Sequence, residues 1–191
     1  IEDIFAKDEG EAEMDEHVWL SVKNAKTLCT HIALEIAKVN PVHAKKYEEN
    51  VKIYLDKLDE LDVVFQDTVA EGEKNTLLFA DRFPFRYLTD DYGLEYFAAF
   101  PGCEAETEAS FETVTFLAEK VDELELSYVL TVEGSDQRIA KTVISGTKEK
   151  NQDILVMDSM QSVTREDAEN GATYLSIMKE NRKVLERALS E

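Results

Sequence analysis

Between residues 22 and 39, Ala25, Leu28, Ile32, Ile36 and Val39 recur at steps of three and four. That spacing is one face of an α-helix, and it predicts a single buried stripe. Ser21 supplies an N-cap. Asn40-Pro41 closes the helix, because a residue before proline avoids helical angles. From Pro41 to about Ala70 the pattern resumes through Tyr47, Val51, Tyr54, Leu58, Leu61 and Phe65. A helix of about 28 residues would be a rod of roughly 42 Å, longer than most globular helices. The pattern lasts only about three heptads, so a helix spanning two lobes is preferred to a coiled-coil strand.

Beyond Gly72 the period changes. Thr76–Ala80 (TLLFA), Tyr128–Val132 (YVLTV) and Ile154–Met157 (ILVM) are short apolar runs, and Leu94–Phe100 alternates weakly. Helical patterns fall between and after them, over 85–92, 109–124, 137–147 and 174–189. Apolar strands alternating with helices predict a parallel sheet covered on both faces. The fold class is therefore α/β. Residues 72–191 form a C-terminal β/α lobe with a four-stranded, mostly parallel sheet. Residues 41–71 are a long lobe-connecting helix. Residues 1–40 are the tail of a first lobe, whose remainder is expected to precede Ile1.

The chain has 191 residues, of which 43% are hydrophobic, enough for a core. Its 41 acidic residues against 21 basic give a net charge of −20. That balance excludes a nucleic-acid binder, which needs a basic surface to displace counterions, and it opposes docking on anionic lipid. It suits cations, or simply solubility. Residues 1–16 read as an exposed acidic loop. Cys29 and Cys103 form neither a disulfide framework nor a zinc motif. No apolar run reaches the length of a membrane span, and no leader is legible.

In an open α/β sheet, ligands sit beyond the carboxyl ends of the strands. Asp81, Glu133 and Asp158 each stand directly after an apolar run. They are candidates for a site, and equally candidates for capping the next helix. His17 lies at a helix entrance beside Asp15 and Glu16. An imidazole with carboxylates suits zinc or manganese, and a purely structural histidine is the alternative. His31 and His43 have no partner at ligand spacing and read as surface residues. No nucleophile elbow, P-loop or dinucleotide fingerprint is present.

The residues carry a resemblance. DEHVWLSVKNA at 15–25 resembles the D-P-H-x-W-L-S-P-x-N-A segment of the zinc- and manganese-binding proteins of bacterial metal ABC importers. Phe85-Arg86-Tyr87 with Tyr92-Gly93-Leu94 resembles that family's F-x-Y-x(4)-Y-G-L. GCEAETEAS at 102–110 and VEGSDQRIAKTVI at 132–144 are similar to its segments in the same order. Asp158-Ser159 stands at its last strand end, and Tyr174-Leu175 through Asn181 resembles Y-L-x-x-M-x-x-N.

The resemblance implies two β/α lobes with one metal held between them. His17 matches the family's second histidine, with Trp19 packed beneath it, and Asp158 matches its last carboxylate. The first histidine would precede Ile1. The third ligand falls on Arg82, which cannot bind a metal. Asp81 is the substitute, with Glu106 and Glu108 behind it. The expected metal ligands are thus His17, Asp81 and Asp158. The expected cargo is Zn²⁺ or Mn²⁺, delivered to an ABC permease by a monomeric, extracytoplasmic protein that performs no catalysis. Any membrane association would come through a lipid anchor outside this chain. Two rivals remain: a same-fold module or adhesin that has lost the metal, and a metal-dependent hydrolase using Asp81, Glu133 and Asp158.

Overall fold

The computed structural model describes residues 15–101 and 109–190. The acidic stretch 1–14, Cys103, Glu106 and Glu108 lie outside the described residues.

A single 3-10 turn, Val18–Leu20, leads into α1 (Val22–Val39). Ser21 caps α1 as its composition predicts, its hydroxyl accepting from the Asn24 N–H at 2.9 Å. A second 3-10 turn at Pro41–His43 reverses the chain into α2 (Ala44–Glu71). The two helices run side by side, with a Lys26–Asp59 ion pair between them. Then follow β1 (Thr76–Phe83), α3 (Arg86–Tyr92), β2 (Glu95–Pro101) and α4 (Phe111–Glu123). The chain closes with β3 (Tyr128–Val132), α5 (Arg138–Gly146), β4 (Asp153–Met157), α6 (Arg165–Glu169) and α7 (Tyr174–Leu189).

The strands lie in the order β2-β1-β3-β4, and every pairing is parallel. Strand β1 shows why. Leu77 and Phe79 point into a core shared with α2 and α7, while Leu78 and Ala80 point into a second core under α4 and α5. With both faces covered, the strand has no polar side, and its continuous apolar run follows. Phe65, Phe79 and Leu185 of the first core are fully buried. Emptying such a position, as in Phe79→Ala, costs about 3–5 kcal/mol.

Two details depart from the sequence pattern. Strand β1 does not stop at Ala80. It continues to Phe83 through an irregularity between Phe79 and Arg82 in its pairing with β2. Asp81 therefore lies inside the strand rather than after it. The stripe on α1 is also not buried: Val22 and Ala25 are, whereas Ile32 is 57% and Val39 87% exposed. Periodicity identifies the apolar face of a helix but not what covers it. Among the described residues, α2 packs beside α1 but leaves Ile32, Ile36 and Val39 of the stripe exposed.

Candidate metal centre

The order of the strands reverses between β1 and β3, so the chain leaves the two strands in opposite directions. That opens a crevice at their carboxyl ends. Here the structure has a cavity of about 250 Å³, lined by Arg82 and Pro84 at the end of β1, Val132 and Glu133 at the end of β3, and Ser159, Gln161 and Ser162 after β4. Strands β1 and β3 are paired only at Phe79 and Leu130. Past that point Asp81 takes over, its Oδ2 accepting the Val132 N–H at 3.4 Å and its Oδ1 accepting the Arg82 N–H at 2.8 Å. The Asp81 carboxylate thus completes the splayed sheet.

His17 enters from the other side. It is 1% exposed. Its ring lies 5.3 Å from that of Trp19, as the DEHVWLS pattern implies. The Trp19 indole donates to the Ser159 carbonyl at 3.0 Å, and the Tyr174 hydroxyl donates to the Trp19 carbonyl at 2.9 Å. The Tyr87 hydroxyl holds the Asp15 carbonyl at 2.9 Å. Strand loop, α7 and α3 therefore fix the His17 segment against the sheet end.

The tautomer of His17 follows from its neighbours. Asp15 Oδ1 lies 2.7 Å from Nδ1 and also accepts the His17 backbone N–H at 2.8 Å. A carboxylate oxygen only accepts, so Nδ1 carries the proton. Nε2 then offers its lone pair, and the Gln161 amide nitrogen lies 2.8 Å away. Metal-binding histidines commonly carry a carboxylate on the nitrogen that does not bind the ion, as Asp15 does at Nδ1 here. Asp15, Glu16 and His17 are the only group of three acidic, histidine or cysteine donors within 4.8 Å of one another among the described residues.

Asp158 follows β4 directly. The side chain of Asn181, only 2% exposed, clamps its backbone, accepting from Asp158 N at 2.8 Å and donating to Asp158 O at 2.7 Å. Its Oδ1 accepts the Met160 N–H at 2.7 Å, while Oδ2 has no hydrogen bond to a described residue. Burial pushes the Asp158 carboxyl above the usual aspartate range, and Glu133 and Asp167 add repulsion. The Met160 N–H partly offsets them. This carboxylate would gain from a nearby cation.

Glu133 does different work. Its carboxylate accepts from Ser159 N at 2.8 Å, Ser159 Oγ at 2.7 Å and Gln161 N at 3.2 Å. It shapes the loop after β4. None of Asp81, Glu133 and Asp158 caps a helix: the N-cap positions of α3, α5 and α6 are Phe85, Gln137 and Thr164. His17, Asp81 and Asp158 all lie about this sheet end, but their donor atoms are not drawn within 4.8 Å of one another. Arg82 lines the cavity, and its guanidinium makes no hydrogen bond or ion pair with a described residue. Asp15 and Glu133 stand out in the sequence by position, but Gln161 carries no sequence signal, its role arising from contacts made in the fold.

A family model described as the periplasmic component A of a zinc-uptake complex matches residues 2–188. The zinc-binding lipoprotein AdcA of Streptococcus pneumoniae is 29% identical over 179 residues, covering 94% of this chain and 35% of AdcA. The high-affinity zinc uptake system protein ZnuA of Bacillus subtilis is 29% identical over 176 residues, covering 92% of this chain and 54% of ZnuA. The chain thus spans between a third and about half of these relatives. The crystal structure of the Zn(II)-bound ZnuA-like domain of Streptococcus pneumoniae AdcA superposes with a TM-score of 0.76 at 28% identity, over 96% of this chain and 67% of that one.

Proposed function

Since this chain belongs to the family of periplasmic zinc-uptake complex components, we propose that it is part of an extracytoplasmic solute-binding protein that captures Zn²⁺ and passes it to an ABC permease. The observation that carries this reading is the His17 imidazole, oriented by Asp15 at Nδ1 and meeting the Gln161 side chain at Nε2. Asp158 is the second donor, held by Asn181 with Oδ2 available. Asp81 belongs to the scaffold, because both of its oxygens serve the backbone of the splayed strands. An imidazole donor favours Zn²⁺ over Mn²⁺, which prefers a site richer in oxygen.

The protein is a carrier and performs no catalysis. Residues 72–191 are its second lobe, α2 is the connecting rod, and residues 1–40 are the tail of a first lobe. The exposed apolar residues of α1 support that organisation, since the body of a first lobe would cover them. Placement outside the cytoplasm follows the periplasmic and lipoprotein relatives. A lipid anchor and a monomeric state belong to the same reading.

Calorimetric titration of the full chain with Zn²⁺ and Mn²⁺ tests it. Saturable one-to-one binding, tighter for Zn²⁺ and lost in His17→Ala, is expected. Equal binding by His17→Ala would move any metal to the acidic surface and refute the site.

A further inference from the structure

The loop after β4 returns to His17 through one side chain. Met160 occupies the left-handed region at φ 64, held there by the bond from its N–H to Asp158 Oδ1. The next residue, Gln161, has its backbone N–H fixed to Glu133 Oε1 at 3.2 Å. Its side chain is exposed, yet its amide nitrogen meets Nε2 of the buried His17 at 2.8 Å, across 144 positions of sequence. With Nδ1 donating to Asp15, Nε2 is an acceptor and the amide is its donor.

The atom that the amide covers is the atom that the proposed site needs for Zn²⁺. A buried imidazole nitrogen without a partner is costly, so something must satisfy Nε2 when no ion is there. A protein that releases its cargo spends part of its cycle in that state. We infer that Gln161 is a resident competitor: its amide caps Nε2 of His17 in the metal-free protein and swings out as Zn²⁺ arrives. This rests on the reading of His17 as a metal ligand.

The geometry suits a cap that opens cheaply. The backbone of Gln161 is anchored to Glu133, so the loop need not move. Only a solvent-exposed side chain rotates, and such rotations take picoseconds to nanoseconds. While the amide is in place, the ring keeps its orientation. The cap therefore preserves the binding geometry while lowering the fraction of molecules open to the ion. Apparent affinity falls by that fraction. One neutral hydrogen bond corresponds to a factor of roughly three to ten.

The test is stopped-flow and calorimetric Zn²⁺ binding to the full chain, comparing wild type with Gln161→Ala and Gln161→Leu. The leucine variant keeps bulk and removes the donor. Both should bind Zn²⁺ about three- to tenfold more tightly, through faster association at unchanged dissociation. In the metal-free protein, the ¹⁵N resonance of His17 Nε2 should move in both variants. Unchanged or slower association would overturn the cap. Weaker binding with faster dissociation would overturn it too, and would identify Gln161 as a ligand. His17→Ala separates the two levels. If it abolishes binding while the Gln161 variants behave as wild type, only the cap fails. If it binds normally, the site assignment fails and the cap with it.

Discussion

Asp15 and His17 are joined twice through one atom: Oδ1 of Asp15 receives both the Nδ1 proton and the backbone N–H of His17, at 2.7 and 2.8 Å. The carboxylate thereby fixes ring orientation and tautomer together. Asp15→Ala should leave the fold intact and weaken Zn²⁺ binding by about 10- to 100-fold, the usual effect of removing the partner of a ligating histidine. Calorimetry measures the affinity, and circular dichroism checks the fold. Wild-type affinity in Asp15→Ala would show that the pair does not serve a metal.

Asp158 should trade stability for binding. Its carboxyl titrates above the ordinary aspartate value when folded, because burial and the nearby Glu133 and Asp167 disfavour its charge. In strong acid it is protonated in both the folded and unfolded states and costs nothing. As pH rises through the ordinary value towards the raised one, the unfolded chain ionises more readily, so stability is lost and remains lower at neutral pH. Asp158→Asn keeps the acceptor for the Met160 N–H and removes the charge. In the metal-free protein it should melt higher than wild type at pH 7, with the difference vanishing in acid. Zn²⁺ should bind it at least about tenfold more weakly, the scale expected for losing a charged ligand. A lower melting temperature at pH 7 would contradict the electrostatic argument.

Asp81 should behave in the opposite sense. Asp81→Ala leaves the buried Val132 N–H without its acceptor at the point where β1 and β3 separate. A loss of about 1–3 kcal/mol in urea unfolding is expected. Zn²⁺ affinity should fall much less than in Asp158→Asn. A larger loss of affinity than stability would make Asp81 a ligand after all.

The sequence resemblance puts Arg82 at the family's third-ligand position, and Arg82 lines the cavity. Arg82→His replaces a positive charge with a nitrogen donor. Zn²⁺ binding should tighten by about tenfold or more, since each added imidazole ligand strengthens a zinc site. Unchanged affinity would place Arg82 outside reach of the ion.

The parts legible in the sequence are those set by local spacing. The bounds of α1, β3 and α7 follow from caps and periodicity and coincide with the observed elements. The parallel sheet follows from the alternation of apolar runs with helices. The exposed stripe on α1 was not legible, because an apolar face has the same pattern whether or not a neighbour covers it. The extension of β1 past Asp81 depends on a change of register against β2, which no single strand records. His17 stood out through its motif, and Asp158 through its place after β4. Gln161 did not stand out, since glutamine is common on surfaces and its partner lies 144 positions away.

The Asn181 clamp on Asp158 has a mechanical consequence. The two bonds from its amide are those that a neighbouring strand would make, so Asp158 is gripped as if β4 ran one residue further. Strand β4 is an edge strand, and α7 supplies the missing neighbour. In the proposed site the Asp158 side is therefore stiff, its backbone held by Asn181. The Gln161 side is closed only by a side chain. An ion held by His17 and Asp158 would leave past Gln161 without loosening the sheet beneath it.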